Sequence, residues 1–443
     1  MPETENRNIE PEKINLAEMA KDQSYWASVK RQFNKNKLAV YSLRVIFVLV
    51  FIALFADFLA NEKPIIASYK KNIYFPVFKE YAVNMGLSEW PTEMQNISSW
   101  RDLKFEWAVW PLVPYLPNNI DFINAQSVGP FDEQEVPSKF WRHWMGTDEL
   151  GRDVFSGMIH GTRIAVMVGL ISMGIASLIG IFLGALAGYF GDERLRLSIA
   201  SILLNLVSLF FALYYGFGSR SYILADAIGV SFGLFLKELF ISFMVIALIF
   251  AMGNLIAYAL KNIPFLNQKI KIPVDIMISR LIEIMLSVPT LFLIISIAAI
   301  SKPSVFTVMA IIGFTSWTGI ARFIRAELLR IRSLEYIEAA NALGFSEFRT
   351  MLKHAIPNAL SPVLVAVAFG IAAAILIEAT LSFIGVGVPA ESITWGSLLS
   401  AARQSTSAWW LAIIPGFAIF ITVTIYNLVG EGLTDALDPR QKK

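Results

Sequence analysis

The sequence predicts an all-α, polytopic bundle of transmembrane helices with about eight spans. Of 443 residues, 56% are hydrophobic and only 16% are charged, and the mean hydropathy of +0.57 exceeds that of a soluble globular domain. The apolar residues fall in blocks of about 20, and a helix rising about 1.5 Å per residue then crosses a hydrocarbon core of about 30 Å. Because lipid offers no partner for unpaired backbone groups, such blocks are expected to be helical. This composition argues against a soluble enzyme.

Hydropathy divides the chain into six segments. The first 37 residues begin polar and acidic and turn basic just before the first apolar block, without the short run and cleavage site of a signal peptide. The expected segments are a cytoplasmic N-terminal segment (1–37), a first transmembrane helix (38–60), a periplasmic loop (61–162), a second transmembrane helix (163–190), an inserted transmembrane pair with its linkers (191–273), and a core region (274–443) that contains a cytoplasmic loop (322–360).

Small residues recur every four positions along the second span, at Ala176, Gly180, Gly184 and Gly188. Such a ridge carries no bulky side chain, so we expect another helix to pack closely against it. The remaining apolar blocks lie at about 197–217, 232–260, 276–300, 305–321, 361–388 and 409–430.

The basic residues predict an orientation. With the N-terminus inside, six spans precede the polar segment 322–358, which is rich in Arg and therefore fits the cytoplasm under the positive-inside rule. The tail at 438–443 follows the eighth span and is again basic. Omitting one of the two blocks between 197 and 260 would place both basic segments outside, so we expect that either both blocks cross the membrane or neither does. Both termini are therefore expected in the cytoplasm.

The most informative stretch is EYIEAANALGFSEFRTMLKHAIPNALSP, from Glu335 to Pro362. We expect a helix that breaks at Gly344, followed by a second helix with Ser346 as its N-cap and Glu347 in its first turn. On the first helix, Tyr336, Ala339, Ala340 and Leu343 form one face of small residues flanked by large ones. A short surface helix with such a face is suited to docking in a groove on another protein, although a solvated helical hairpin is the ordinary alternative.

The pattern EAA, then Gly344, then His354-x-x-Pro357 resembles the EAA loop of ABC-importer permeases, which seats in the ATPase subunit. Four further stretches resemble the oligopeptide/dipeptide branch in the same order: FNKNKLAVYSLRVIF, HWMGTDELGRDVFSGMIHGTRIAV, ILIEATLSFIGVGVPAESITWGSLLSAAR and GEGLTDALDPR. Together they cover most of 30–60, 143–191 and 274–440. The resemblance implies a type I ABC importer permease fold.

The same resemblance implies roles for two groups of residues. The first group couples the chain to the ATPase: Glu338, Ala339, Ala340, Leu343, Gly344, Phe345, His354 and Pro357. The second group is a periplasmic signature: Gly146, Thr147, Asp148, Gly151, Arg152 and Asp153. Ion pairs among Asp148, Arg152 and Asp153 are expected to lock the loop to the second span, with outer gating or binding-protein docking as the alternative.

By resemblance, the partners are a second permease subunit, two cytoplasmic ABC ATPases and a periplasmic or lipid-anchored solute-binding protein, in a bacterial inner membrane. ATP and Mg belong to the ATPase, and no nucleic-acid partner is expected. The stretch from Asn61 to Tyr81 is similar to the loop of microcin C and oligopeptide permeases, which favours peptide cargo and leaves nickel open. Family members lack the insertion of about 80 residues after Gly191, so the periphery departs from the family pattern.

Three residues in the apolar blocks are candidates for gating or for the pathway. Glu283 is expected to pair with Arg280 near the cytoplasmic start of its span, and a structural or gating role is favoured over substrate binding. Glu378 lies about 26 Å into its span, so it either lines the outer mouth or, as we favour, makes an interfacial hydrogen bond. Pro289 is expected to kink its helix, as a hinge or as an inert bend.

Several classes of site are missing from the sequence. There is no P-loop pattern, so ATP hydrolysis must come from another subunit, and no metalloprotease or serine-hydrolase pattern. There is no cysteine. His143, His160 and His354 lie in unrelated segments without an adjacent carboxylate cluster, so no metal site is expected. The competing functions are an ion-gradient-driven secondary transporter, which needs carboxylates at mid-membrane depth, and a membrane scaffold.

Overall fold

The protein is described by a computed structural model, which covers residues 25–437 except 92–93, 95–98, 231, 390 and 406. The basic tail at 438–443 and most of the N-terminal segment lie outside the described residues. Within the described part, seven helices are long and apolar enough to cross a membrane, and the count rises to eight if one bent pair is a single span. The prediction of an all-helical polytopic bundle with about eight spans is confirmed.

Several candidate spans extend further than the apolar blocks, whereas the first ends at Leu54 rather than at 60 and another ends at Ile384 rather than at 388. The spans are Lys37–Leu54, Val154–Phe190, Ile199–Ala227, Gly233–Asn262, Val305–Ile331, Ser361–Ile384 and Trp409–Leu437, and the bent pair is Val274–Ser287 with Thr290–Ile300. The second span begins at Val154, about ten residues before the predicted start, and the helix that begins at Val305 runs ten residues past Ala321. A helix continues into the polar region until the chain itself supplies a break, so hydropathy alone misplaces its ends.

The block predicted at 276–300 is broken rather than continuous. Its two helices, Val274–Ser287 and Thr290–Ile300, are bent by 79°, and Pro289 lies in extended backbone immediately before the second one. Proline has no N–H to donate and disfavours helical conformation in the residue before it, so the break falls where the sequence places Pro289.

The remaining regular elements are short. They include the helices Tyr25–Phe33, Ala56–Leu59, Pro76–Asn84, Ser221–Val230 (which overlaps the end of the span Ile199–Ala227), Pro264–Asn267, Glu335–Ala342, Glu347–Thr350, Ile356–Ala359 and Trp395–Ala402, and the strands Ile66–Tyr69, Asn72–Tyr74, Trp107–Val109, Arg196–Ser198 and Lys269–Lys271. The two small sheets were not predicted. Strands of three or four residues are too short to leave a clear alternating pattern in the sequence.

The chain forms two compact units. The first consists of the described parts of 1–182, 284–324 and 345–443, and the second of 183–283 and 325–344. The first unit is organised around fully buried side chains from four helices, among them Val168, Ile294, Ile312 and Leu381. Gly180, in the predicted ridge, lets the backbone of Trp317 approach closely, because a Cβ at Gly180 would lie only 2.8 Å from the carbonyl oxygen of Trp317. Close packing through small residues is how membrane helices associate.

The last helix of the first unit contacts both early and late parts of that unit. Val429 and Ala436 pack in one buried cluster with Val29, Phe33 and Ala39 of the N-terminal region. Asn36 caps the first span by accepting the N–H of Ala39 at 3.1 Å, and its amide donates to Asp435 at 3.4 Å.

The loop after the first span carries an antiparallel sheet in the order β2-β1-β3, where β1 is Ile66–Tyr69, β2 is Asn72–Tyr74 and β3 is Trp107–Val109. Ala67 is paired with Tyr74 on one side and with Ala108 on the other. The turn between β1 and β2 consists of Lys70 and Lys71, both at positive φ, as a two-residue hairpin requires.

The second unit contains the inserted pair, which forms a helical hairpin. Asn205 and Asn254 exchange hydrogen bonds of 3.1 and 3.4 Å between the two long helices. At the far end Arg220 donates to Glu238 at 2.5 Å and to the hydroxyl of Ser242 at 3.1 Å. Hydrogen bonds between polar side chains therefore connect the two apolar helices of the hairpin to each other. The two strands of the second unit, Arg196–Ser198 and Lys269–Lys271, pair at its base.

Candidate functional site

The signature 146–153 forms a tight turn ahead of the second span. Gly151 has φ +86, and a Cβ there would collide with the carbonyl oxygen of Asp121, so the position requires glycine. Gly146 also has positive φ. Asp148 holds the turn together: its Oδ1 accepts the N–H groups of Leu150 at 3.0 Å and of Arg152 at 2.8 Å.

The predicted ion pair between Asp148 and Arg152 is present, with Nε and Oδ2 separated by 2.6 Å. Asp153 has a different role from the one expected. Its Oδ1 accepts the N–H of Ser156 at 2.6 Å, so it caps the first turn of the second span, and its Oδ2 lies 2.8 Å from Nδ1 of His143. The lock between loop and span is therefore made by the histidine rather than by Arg152.

His143 lies at the centre of a buried cluster, which corrects the expectation that it has no carboxylates beside it. Its side chain is fully buried, its Nε2 lies 3.2 Å from Oδ2 of Asp121, and its ring stacks on Tyr115 at 4.3 Å. Asp121 and Asp153 are 22 and 10 residues away in sequence, so spacing did not reveal them. Among the described residues, no group of three His, Cys, Asp or Glu side chains is arranged to hold a metal ion.

The environment of this cluster shifts two pKa values. Burial raises the pKa of Tyr115 to about 12, and its hydroxyl donates to the carbonyl of Trp141 at 2.6 Å. For Asp121, burial acts to raise the pKa, but hydrogen bonds from Asn124, His143 and two backbone N–H groups outweigh it, and the pKa is lowered. The cluster thus favours a neutral phenol and a charged carboxylate.

The signature is also bonded to the last span. The indole N–H of Trp410 donates to the carbonyl of Thr147 at 3.0 Å, and the hydroxyl of Thr147 donates to the carbonyl of Asn124 at 2.7 Å. Trp395, in the short helix before the last span, donates to the carbonyl of Met158 at 3.1 Å. Hydrogen bonds therefore connect the loop to the last span within the first unit.

The resemblance-derived coupling segment begins in the second unit with the helix Glu335–Ala342. Glu338, Ala339 and Leu343 are exposed, Leu343 at 76%, whereas Ala340 is buried, as is Ile337. Ala340 therefore does not share the exposed face that the helical pattern assigned to it. Gly344 ends the helix with φ +80, in agreement with the predicted break.

The segment continues in the first unit with the short helix Glu347–Thr350. Ser346 caps it as predicted, accepting the N–H of Arg349 at 3.4 Å. The ring of Phe345 is parallel to that of His354, with 6.5 Å between centroids, and Arg349 lies 5.2 Å from the centre of Phe345. Pro357 is exposed. Three apolar side chains are also exposed here: Phe345, Phe348 and Leu352.

The three gating candidates are each engaged locally. Glu283 accepts from Arg280 at 2.6 Å, and both side chains are mostly exposed. Glu378 is only 2% exposed and accepts a hydrogen bond of 2.6 Å from Ser382 one turn later. This geometry agrees with the favoured hydrogen-bonding interpretation of Glu378. Pro289 lies at the break described above.

A polar stripe on the last span was missed by the sequence reasoning. Thr424, Asn427, Glu431 and Asp435 recur at intervals of three and four residues, so they share one face of the helix Trp409–Leu437. With Phe369 they line an open groove of 610 Å³. Ending the span at Gly430 hid the pattern, which the spacing of these four residues alone would have revealed.

Two family models match the chain. Residues 265–443 match the inner membrane component of binding-protein-dependent transport systems, and residues 24–76 match the N-terminal transmembrane domain of oligopeptide transport permease C. Residues 77–264, which include most of the loop and the inserted hairpin, lie between the two matches.

Curated relatives resemble the chain along most of its length. The peptidoglycan transport system permease protein YejE of Agrobacterium fabrum is 27% identical over 93% of this chain and 92% of its own length. The inner membrane ABC transporter permease protein YejE of Escherichia coli is 26% identical over 95% of this chain and 97% of its own length. The dipeptide transport system permease protein DppC of Alkalihalophilus pseudofirmus is 29% identical over 71% of this chain and 76% of its own length.

One solved structure, an inward-facing form of the methionine ABC transporter MetNI, has a TM-score of 0.31 at 14% identity, over 54% of this chain and 94% of that chain. That likeness is too weak to carry an argument about the fold.

A polytopic helical chain whose C-terminal region matches the transport component is a permease of the inner membrane. Residues 265–443 therefore place the chain among proteins that carry the inner membrane component of binding-protein-dependent transport systems, and its relatives are named as permeases of ABC, dipeptide and peptide transport systems.

Proposed function

We propose that the chain forms one half of the pathway by which an ATP-driven importer carries peptides across the inner membrane. The matched N-terminal model is that of an oligopeptide permease, and the relatives are named for dipeptide, peptide and peptidoglycan transport. These names favour peptide-like cargo over nickel. Both termini and the segment 322–360 lie in the cytoplasm in this proposal, in keeping with the Arg-rich composition of that segment.

The observation that carries the proposal is the exposed segment around Gly344. In the second unit the helix Glu335–Ala342 exposes Glu338 and Ala339, and Leu343 after it is also exposed. In the first unit Phe348 and Leu352 are exposed. Exposed apolar side chains of this kind are typical of positions that another protein covers. The proposed occupant is one of two cytoplasmic ABC ATPases, which hold the ATP and Mg.

The polar stripe supports a second permease subunit. Polar side chains in a spanning helix are costly in contact with lipid, so they face protein or water. Asn427 and Glu431 are exposed in the isolated chain. In the proposed complex a second permease either covers this groove or forms a water-filled pathway together with it. The ordered loop with His143 and the signature then faces a solute-binding protein that delivers the cargo.

In the proposed mechanism, closure of the ATPases pushes on the segment around Gly344, and the attached spans rock to switch access between the two sides. The bend at Pro289 and the residues Glu283 and Glu378 are proposed to take part through position and local bonding. The chain itself binds, orients and moves, and it makes or breaks no covalent bond.

The test is uptake into proteoliposomes that contain this chain with its second permease and ATPases. Peptide uptake that requires ATP and a binding protein supports the proposal. Uptake driven by a proton or sodium gradient in vesicles without ATPase would contradict it and would favour the secondary-transporter alternative.

A further inference from the structure

The helix Pro76–Asn84 in the loop has two apolar sides, one buried against the loop and one largely exposed. Pro76 and Val77 are buried, and Glu80 on the same side forms an ion pair with Lys63. On the other side Phe78 and Met85 are 55% and 66% exposed.

The exposed apolar side chains share a face. Phe75, Phe78, Tyr81 and Met85 are separated by three, three and four residues, the spacing of one side of a helix. All four are exposed; three of them are aromatic, and the fourth, Met85, carries a long flexible thioether. Asn84 lies about 120° around the helix from Phe78 and falls off this face. We call the four residues the aromatic face.

The aromatic face is continuous with the exposed side of the first span. Ring centroids follow one another from Phe51 to Phe55 at 4.6 Å, to Phe58 at 6.1 Å and to Phe78 at 4.9 Å. Phe51 and Phe55 are themselves exposed, at the end of a helix that is long and apolar enough to cross a membrane. One row of neighbouring aromatic rings therefore connects the end of the first span to Phe78.

The level of this face along the span is that of the membrane surface. The first span ends at Leu54, and Phe58 lies about 6 Å further on by the helical rise. At the same level Asp57 accepts hydrogen bonds from Tyr81 and, at 2.7 Å, from Arg163. Charged groups beside exposed aromatic rings are typical of the boundary between acyl chains and headgroups.

We propose that the helix Pro76–Asn84 lies in the plane of the membrane and inserts Phe75, Phe78 and Met85 into the lipid leaflet beside the end of the first span. Amphipathic helices of this kind are buried about 5–10 Å into the boundary between headgroups and acyl chains. The face anchors the loop to lipid and sets the height at which its signature is held. This role is separate from peptide transport and from ATPase coupling.

The chain has no cysteine, so single labels are easy to place. Phe78→Cys and Met85→Cys carry a fluorophore in the full-length chain in phosphatidylcholine vesicles that contain nitroxide lipids. We expect several-fold stronger quenching than for Asn84→Cys on the same helix or for the exposed loop variant Glu133→Cys. Quenching is expected to be stronger with the nitroxide near the headgroup than near the end of the acyl chain. If Phe78→Cys perturbs folding, Met85→Cys at the helix end gives the same measurement.

A charge introduced on the aromatic face tests whether that face causes the helix to insert into the lipid leaflet. Phe78→Asp is expected to abolish quenching at Met85→Cys, whereas Phe122→Asp, at an equally apolar exposed loop position, leaves it unchanged. Quenching no stronger than that of Glu133→Cys overturns the proposal. Quenching that disappears when the second permease is added also overturns it, because the face is then covered by protein.

Discussion

Nδ1 of His143 lies 2.8 Å from Oδ2 of Asp153 in the buried centre of the loop, and the other oxygen of Asp153 caps the second span. One carboxylate therefore fixes both the loop and the start of a membrane helix. This arrangement makes the loop sensitive to a single side chain, and it can be tested by separating the two roles of Asp153.

Asp153→Ala is expected to destabilise the purified chain more than Asp153→Asn. The asparagine keeps an oxygen that accepts from Ser156, whereas alanine loses a cap worth about 0.5–2 kcal/mol. Both changes remove the charge that faces Nδ1 of His143, and a hydrogen bond to a charged group is worth about 1.5–3 kcal/mol. The measurement is thermal unfolding in detergent, with Glu133→Ala as an exposed control. Equal melting temperatures for the alanine and asparagine variants would show that the cap contributes nothing.

Tyr115 makes the loop sensitive to alkali. Its pKa is raised to about 12 from an ordinary value of 10.0, so the folded state binds more protons than the unfolded state between these values. The stabilisation is then complete below about pH 10 and is lost as the pH rises through about 12.

Tyr115→Phe is therefore expected to lower stability at neutral pH, because the bond to Trp141 is lost, and to flatten the decline between about pH 10 and about pH 12. The readout is melting temperature against pH, with Tyr222→Phe as an exposed control. A wild-type decline as steep as that of Tyr115→Phe would contradict the assignment.

Gly344→Pro is expected to abolish co-purification with the ATPase, since proline fixes φ near −65° and Gly344 has φ +80. Gly344→Asn is the matched control: asparagine tolerates this conformation, and no atom lies within 4 Å of the added Cβ. Gly344→Val is expected to fall between them, with a cost of about 1–2 kcal/mol. If all three variants co-purify with the ATPase as the wild type does, this segment is not part of the coupling interface.

Gly253 is predicted to set the spacing of the inserted hairpin. A Cβ at Gly253 would collide with the hydroxyl of Ser208 on the facing helix. Gly253→Leu should therefore separate the two helices and weaken the cross-link between Asn205→Cys and Asn254→Cys, whose native side chains exchange hydrogen bonds. Gly233→Leu, where no atom lies within 4 Å, is the control. Undiminished cross-linking in the Gly253→Leu chain would contradict this packing.

Local signals in the sequence predicted the features that depend on local structure. The inserted pair, the break at Gly344 and the cap at Ser346 follow from apolar length, backbone conformation and hydrogen-bonding capacity over a few residues. The pair Asp148 and Arg152 is four residues apart and was predicted for the same reason.

Contacts between distant residues were not predictable in this way. His143 meets Asp121 only because the loop folds back on itself. Ala340 is buried because of what packs on its helix, which helical spacing does not report. Glu431 was left outside the last predicted span, which ended at Gly430, although the helix continues to Leu437. Each miss concerns tertiary packing or the full length of a helix.

The position of the helix Trp409–Leu437 has a consequence for biogenesis. It is synthesised after the segments it secures: Trp410 bonds to Thr147 in the loop, and Val429 packs with Val29 and Phe33 near the start of the described chain. A nascent chain stalled before Trp409 therefore leaves those surfaces uncovered in the bilayer. The loop and the N-terminal region therefore complete their packing only after Trp409–Leu437 has been synthesised and inserted.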